Sequence, residues 1–515
     1  MNPASITAES ESGGHDAGHF TDRVRSAIFW RWGSQALAQI ITWTTTILVV
    51  RLLDPHDYGL YAMTQAVLTA LNFLNGYSFA TSLIQAKAVD ERRIGQVFGL
   101  LIVSNALLAA TQFLMAPLAA RYYGQPLVAD MLRIQALVFC ATPFIALPSA
   151  LLARGLHFRS QALVNLACAV IGATVALILA ATGRGVWALV WAPIAIFTSR
   201  AIGLTIVSGR LVRPVFDFRG SGEILGFGTA LTLCQLFWIV QSQADIVIAG
   251  RNFAPHELGL YSESLFLVLI FTGRFLPPLN EVAYPAYAEL KNSGKPLAPA
   301  FLSSVQLIML IATPFYIGLG LVAGPLVTTF FGPKWLAMIP IVSGLAMVMP
   351  AMALQIVCSP ATTALGKTRI YLTTSMAGAT IMPLCYFLFM DGGAQGLVTA
   401  WHIAAPLLLA VTLALTLPAL GARLRDLVAA LFPAVAACAV MALAVIGLRT
   451  QIGTQPPPMQ LGLLTATGAV VYVGTLWQFW PKLVRDSWAL LRRRPVTAAA
   501  APDAQAKQAG ESRPS

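Results

Sequence analysis

The sequence has few charged residues and little cysteine, and both shortages exclude large classes of protein. Charged side chains make up 10% of the 515 residues, whereas a soluble domain carries about 25%. The six cysteines form no CxxC pair and lie inside apolar runs, so they indicate neither a disulfide framework nor a metal site. A cytosolic enzyme, a disordered chain and a disulfide-stapled secreted module are thereby excluded.

Motifs of the common catalytic and nucleotide-binding sites are also missing. The sequence has no HExxH, GxSxG, GxxxxGK[ST] or GxGxxG, and these are the patterns that would indicate a zinc hydrolase, a serine hydrolase or a nucleotide site. A membrane polymerase or glycosyltransferase would need a long catalytic loop, and the stretches between the apolar runs are short. We therefore expect no enzyme activity, no metal and no cofactor.

Apolar residues dominate what is present, and they come in long unbroken runs. They make up 57% of the chain, and the mean hydropathy is +0.72. A helix of roughly 20–25 apolar residues crosses a bilayer, so the pattern predicts an all-α polytopic membrane protein with fourteen transmembrane helices. The predicted spans lie near 27–50, 57–85, 96–120, 129–153, 161–182, 186–208, 223–249, 257–285, 298–322, 336–364, 370–390, 394–418, 427–448 and 459–480.

The distribution of lysine and arginine predicts the orientation in the membrane. The net charge is +12, and the cations lie in short clusters between the apolar runs. Loops on the side of both termini hold about three times as many cations as the opposite loops, which predicts that both termini are cytoplasmic. This placement argues against a nucleic-acid partner.

An internal repeat is the most informative feature of the sequence. Residues 51–61 read RLLDPHDYGLY, and residues 251–261 read RNFAPHELGLY. Agreement at Arg, Pro, His, Gly, Leu and Tyr in one register indicates a duplication. Two further pairs match at a nearly equal offset, namely 117–124 with 325–332 and 185–190 with 393–398.

The repeat predicts two six-helix lobes that share one orientation, because each contains an even number of spans. Parallel repeats of this kind are related by an axis along the membrane normal, and a cleft between them permits alternating access. The alternative is that the duplication reflects ancestry only, as in some channels. The predicted division is a flexible cytoplasmic tail at 1–24, an N-lobe at 25–208, a cytoplasmic linker at 209–222, a C-lobe at 223–418, two extra helices at 419–494 and a second flexible tail at 495–515.

The same segments resemble the polysaccharide flippases of the MOP superfamily of multidrug, oligosaccharidyl-lipid and polysaccharide exporters. Residues 51–61 are similar to that family's RLLGPEDFGLYA pattern, with His56 in place of an acidic residue and Asp54 in place of glycine. Residues 83–85, 244–251 and 284–287 extend the similarity, which covers the region 27–480.

The resemblance implies a function in bacterial polysaccharide assembly. It implies translocation of an undecaprenyl-diphosphate-linked oligosaccharide across the inner membrane for exopolysaccharide, capsule or O-antigen synthesis, driven by a proton or sodium gradient. The expected partners are the lipid-linked substrate, membrane lipids, and a polysaccharide polymerase with its export machinery. The alternative is a multidrug exporter of the same superfamily, for which acidic cavity residues and twelve spans would be typical.

Ionisable residues inside the predicted spans are candidates for the transport site, because each costs about 2.5–3.5 kcal/mol at mid-bilayer. Arginine is a permanent, bidentate partner for phosphate, so Arg31, Arg200 and Arg274 are candidates for shielding a diphosphate. Asp245, Glu263 and Glu281 are candidates for ion coupling or for lining the cavity. Gln35 and Gln235 belong to polar stripes along spans one and seven, and the stripe of span seven also contains Trp238, Ser242 and Asp245.

Structural roles are the alternative explanation for these charged residues. The acids and arginines can pair with one another to hold helices together, and Arg31 can extend to the membrane surface. Arg51 and Arg251, just beyond spans one and seven, are expected to fix the tight turns that follow them. Pro55 and Pro255 are expected to start the next helices.

Overall fold

The computed structural model describes residues 33–75, 79–80, 83, 90–155, 158–210, 212–217 and 228–485, without the side chains of 158, 228–235 and 368. The predicted tails, Arg31 and residues 211 and 218–222 of the predicted linker lie outside these ranges, as does the side chain of Gln235. Within them the chain is all-helical, as the apolar runs predict.

Six long helices make up the first half of the molecule, residues 33–210. A proline in the first turn begins α2, and glycines in the left-handed conformation, Gly124 and Gly209, end α3 and α6, as is common at helix termini. The fourth helix is interrupted twice, near Ala136 and Thr142. The helices are α1 Gly33–Leu52, α2 Pro55–Asn72, α3 Glu91–Tyr123, α4 Pro126–Arg154, α5 Phe158–Ala181 and α6 Trp187–Ser208.

The second half, residues 228–420, contains six more long helices, and two others follow it. The longest, α8, has 38 residues and contains three internal prolines. A short helix, Ala323–Phe330, and a 3-10 turn, Pro333–Met338, connect α9 to α10. The helices are α7 Gly228–Asn252, α8 Pro255–Asn292, α9 Leu297–Leu321, α10 Ile339–Ala364, α11 Thr368–Phe389, α12 Gly393–Leu420, α13 Leu424–Gln451 and α14 Pro457–Phe479.

Eleven helical stretches within the described ranges are long and apolar enough to cross a membrane, and one of them, Arg369–Leu420, contains both α11 and α12. Large apolar side chains on the outward faces of several helices are exposed, among them Leu107, Leu114, Leu443 and Val470. Such exposure suits helices that contact lipid and would be a liability in water. Fourteen membrane crossings remain a prediction.

The helix packing defines how the halves meet. The α2 helix packs along α8 and also contacts α7, and these contacts join the first half to the second. Within the second half, α10 lies against α8, α9 and α12, while α11 packs on α7 and α12. A buried apolar core runs continuously through both halves. The last two helices pack on each other and on α9.

Candidate functional site

The two copies of the repeated motif lie against each other at the boundary between the halves. A Cβ added at Gly59 of α2 would overlap the Pro255 carbonyl, and one added at Gly259 of α8 would overlap the Pro55 carbonyl. The first turns of α2 and α8 therefore cross at backbone contact, which only glycine allows. The two copies of the repeated motif therefore form complementary surfaces that pack against each other.

Polar contacts close the same boundary, and we call them the clasp. The Arg51 guanidinium, at the end of α1, donates to the Phe330 carbonyl at 3.0 Å and also to that of Thr329. Lys334 forms a 2.8 Å ion pair with Asp54. The Trp335 indole N–H donates to the Val50 carbonyl at 2.9 Å. Every one of these contacts joins the first half to the second.

The reverse contact is made from the second half to the first. The Arg251 guanidinium lies 5.0 Å from the ring centre of Tyr122, a cation–π distance. The Tyr122 hydroxyl donates to the Val247 carbonyl at 3.3 Å. Tyr122 occupies the repeat position of Phe330, so each half's arginine reaches the equivalent segment of the other half. The expectation that Arg51 and Arg251 fix their own turns is wrong, because their side chains extend across the boundary.

Two carboxylates, one in each half, accept hydrogen bonds from main-chain N–H groups of the same half. Asp57 Oδ1 accepts a 3.0 Å hydrogen bond from the Val186 N–H, and Glu257 Oε1 accepts a 2.8 Å bond from the Ala394 N–H. Both donors lie at the start of a helix, α6 or α12, where N–H groups lack partners within the helix and attract negative charge. Asp57 and Glu257 are repeat equivalents, and we call these two bonds the carboxylate caps.

A cavity of about 510 Å³ lies within the second half, among α7, α8, α10, α11 and α12. Trp238, Ser242 and Asp245 line it. Three members of the polar stripe predicted on span seven therefore line the same cavity. That space is enclosed by helices of one half, whereas the sequence predicted a passage between the lobes.

Asp245 is 2% exposed and already has hydrogen-bond donors for both of its oxygens. Oδ1 accepts from the Ile246 N–H at 2.8 Å, and Oδ2 accepts from the Tyr261 hydroxyl at 2.9 Å. The Trp401 indole N–H in turn donates to the Tyr261 oxygen at 2.9 Å. These hydrogen bonds connect α7, α8 and α12, and they supply the donors that a buried carboxylate needs.

The other predicted site residues do not line this cavity. Arg274 and Glu281 of α8 and Gln35 of α1 are exposed, and Arg200 of α6 is half-buried with a buried Nε that has no hydrogen-bond partner among the described residues. Glu263 is half-buried, within electrostatic reach of Tyr58 and Tyr61 on α2. The structure therefore separates these residues, although 263, 274 and 281 have the spacing of one helix face.

Sequence reasoning missed the amides that complete the cavity lining. Gln241, Gln243, Asn280 and Gln355 line it together with hydroxyl side chains from α10, α11 and α12. Their only signal in the sequence is that each is an amide inside or beside an apolar run, where a polar group without a purpose is costly.

Comparison with known proteins shows the family. The chain belongs to the family of polysaccharide biosynthesis proteins, whose model matches residues 48–340. It is 26% identical over 272 residues to the teichuronic acid biosynthesis protein TuaB of Bacillus subtilis, which covers 52% of this chain and 56% of TuaB. It is 23% identical to the succinoglycan biosynthesis transport protein ExoT of Rhizobium meliloti, over 60% of this chain and 62% of ExoT. The chain thus spans about three fifths of these relatives.

Solved structures show a shared fold. The lipid II flippase MurJ in an inward closed conformation superposes with a TM-score of 0.68 at 14% identity, over 88% of this chain and 99% of MurJ. An inward-facing multidrug resistance MATE transporter of the MOP superfamily gives a TM-score of 0.58 at 15% identity, over 75% of this chain and 94% of the transporter. The fold is that of the MOP superfamily, which the sequence motifs predicted.

Proposed function

We propose that the protein moves a lipid-linked oligosaccharide across the bacterial inner membrane during polysaccharide assembly, by alternating access between an N-lobe (25–208) and a C-lobe (223–418). The observation that carries this proposal is the division of polar contacts at the boundary. The clasp joins the halves, and each carboxylate cap lies within one half. Rigid halves held by exchangeable contacts are what a rocking transporter needs.

The orientation completes the proposal. The clasp lies at the end of α1, in the turn that follows it and at residues 329–335, a region that the cation distribution predicts to be periplasmic. We infer that this conformation is closed on the periplasmic side and that the cargo enters from the cytoplasmic side, where both termini are proposed to lie. Fourteen transmembrane helices, with α13 and α14 packed outside the two halves, fit this arrangement.

The proposed cargo follows from the family and the charges. The matched family is described by polysaccharide biosynthesis, and ExoT carries the word transport in its name. A diphosphate head group needs cationic partners in a membrane, and Arg31, Arg200 and Arg274 are the proposed ones. The residues that remain proposals for ion coupling or cavity lining are Asp245, Glu263, Glu281, Gln35 and Gln235. A polymerase and its export machinery are the proposed partners.

Gene deletion with complementation tests this function. Deletion should abolish cell-surface polysaccharide, and the wild-type gene should restore it. Arg274→Ala should lower export at least tenfold while the protein level in the membrane stays normal, and Arg274→Lys should restore part of it. Arg121→Ala, an exposed arginine at the end of α3, is the control. Normal polysaccharide in the deletion strain would refute the function, and normal export by Arg274→Ala would refute the shielding role.

A further inference from the structure

The cavity in the second half differs in chemistry from a phosphate site. Among the described residues that line it, none is lysine or arginine, and a phosphate in a low-dielectric site needs such partners. Amide and hydroxyl side chains make up about half of the lining. Amides and hydroxyls are neutral groups that both donate and accept hydrogen bonds.

The chemistry also differs from that of a site for an organic cation. Asp245 is the one carboxylate among the described lining residues, and both of its oxygens already accept hydrogen bonds, from Ile246 and Tyr261. A cation would have to compete with these buried donors. The carboxylate therefore serves the helix packing rather than a positively charged ligand.

Several polar groups around the cavity have no protein partner. The side-chain amides of Gln241, Gln243, Asn280 and Gln355 form no hydrogen bond with any residue that the structure describes. The Thr416 hydroxyl is fully buried and equally unpaired. The four amides are half-buried, and polar groups at such a site are paired with water or ligand where no protein group is available. This set is therefore available to a ligand rich in hydroxyl groups.

Two tryptophans add flat apolar surfaces to the same lining. The Trp401 indole N–H donates a hydrogen bond to the Tyr261 oxygen, and Trp238 packs edge-on against Phe73, the residue after α2, with ring centres 5.1 Å apart. Trp238 remains 43% exposed. The negative face of an indole attracts the slightly positive C–H bonds on one face of a sugar ring.

Amides that bind vicinal hydroxyl groups, beside indole faces that pack on C–H surfaces, are the features of a carbohydrate site. We propose that this cavity binds uncharged pyranose rings of the oligosaccharide cargo, while the diphosphate is bound outside it. The inference rests on the proposed function and adds a saccharide subsite to it. The volume of about 510 Å³ lies within the roughly 300–1,000 Å³ of ligand pockets. Arg274 follows the lining residues Thr272 and Gly273 in α8, and it is exposed and does not belong to the cavity lining.

Saturation-transfer NMR on the full chain in lipid nanodiscs tests the proposal. The probe is the repeat-unit oligosaccharide of the host's own surface polymer, released free of lipid and phosphate. The wild type should transfer saturation to the sugar ring protons. Gln355→Leu and Trp238→Ala should weaken binding tenfold or more. The matched controls, Gln306→Leu on α9 and Trp191→Ala on α6, lie outside the cavity lining and should bind as the wild type does.

Competing probes separate the outcomes. Inorganic pyrophosphate and tetraphenylphosphonium should leave the sugar signal unchanged. Displacement by tetraphenylphosphonium would overturn the proposal in favour of a cation site, and absence of transfer to the wild type would overturn it outright. If deletion abolishes polysaccharide but no sugar binds, only the saccharide subsite is refuted. If sugar binds but deletion leaves polysaccharide unchanged, the proposed transport function is refuted.

Discussion

Gly59 and Gly259 face each other across the boundary between the halves, each against the proline carbonyl that begins the other's helix. The two prolines start α2 and α8, so the crossing point is fixed one turn into each helix. The same residues of a duplicated motif thus form both sides of one contact.

Alanine at either glycine should force α2 and α8 apart. Overpacking of a tight contact costs about 1–3 kcal/mol, so Gly59→Ala and Gly259→Ala should each lower the thermal unfolding midpoint in detergent. Gly318→Ala on α9 is the control, since a Cβ there meets nothing within 4 Å. It should stabilise by roughly 0.5–1 kcal/mol, as alanine does within a helix. Equal midpoints for all three variants would contradict the contact.

Locking the clasp should stop transport. Asp54 and Lys334 form an exposed ion pair across the boundary, and their replacement by cysteines allows a reducible bifunctional thiol reagent to join the halves. We expect the cross-linked double variant to lose polysaccharide export and to recover it with reductant. The two variants that carry only one of these replacements, treated with the same reagent, are the controls. Continued export by the cross-linked protein would show that the boundary does not open there.

The carboxylate caps should act independently in the two halves. Asp57→Ala should cost about 0.5–2 kcal/mol, the usual range for a lost cap, and raise hydrogen exchange around Val186 while leaving Ala394 protected. Glu257→Ala should do the reverse. Asp57→Asn and Glu257→Gln retain an acceptor oxygen and should lie close to wild type. Exchange that rises in both halves after one substitution would contradict independence.

Removing the Tyr261 hydroxyl should destabilise the second half. Tyr261→Phe leaves Asp245 Oδ2 and the Trp401 indole N–H without a partner, and a buried unpaired group costs about 1–3 kcal/mol. Tyr386 is the matched control, because its buried hydroxyl has no hydrogen-bond partner within the described ranges. Tyr386→Phe should unfold at the wild-type temperature. Denaturation monitored by tryptophan fluorescence distinguishes the two, and identical transitions would disprove the network's contribution.

The sequence predicted the helices well because their signal is local. Runs of apolar residues ended by glycine, proline and charge place most helix termini within a few residues of those observed; α12, for example, is predicted at 394–418 and observed at Gly393–Leu420. The stripe on α7 was also visible, because one helix face repeats at fixed spacing.

The clasp and the cavity could not be predicted in the same way, because they depend on contacts between distant segments. Arg51 bonds to a carbonyl 279 positions away, and no local pattern encodes that distance. Glu263 is half-buried while Arg274 and Glu281 are exposed, although their spacing is that of one face.

In the proposed transport cycle, the division of polar contacts sets where the barrier to rotation of the halves lies. Rotation of one half against the other breaks the pair of Asp54 and Lys334, whose side chains are 59% and 46% exposed, and water can replace their interaction at a small net cost. Single substitutions at this exposed ion pair can therefore change the turnover rate. Changes there leave the proposed saccharide subsite untouched, so the rate and the selectivity of the proposed transport can evolve separately.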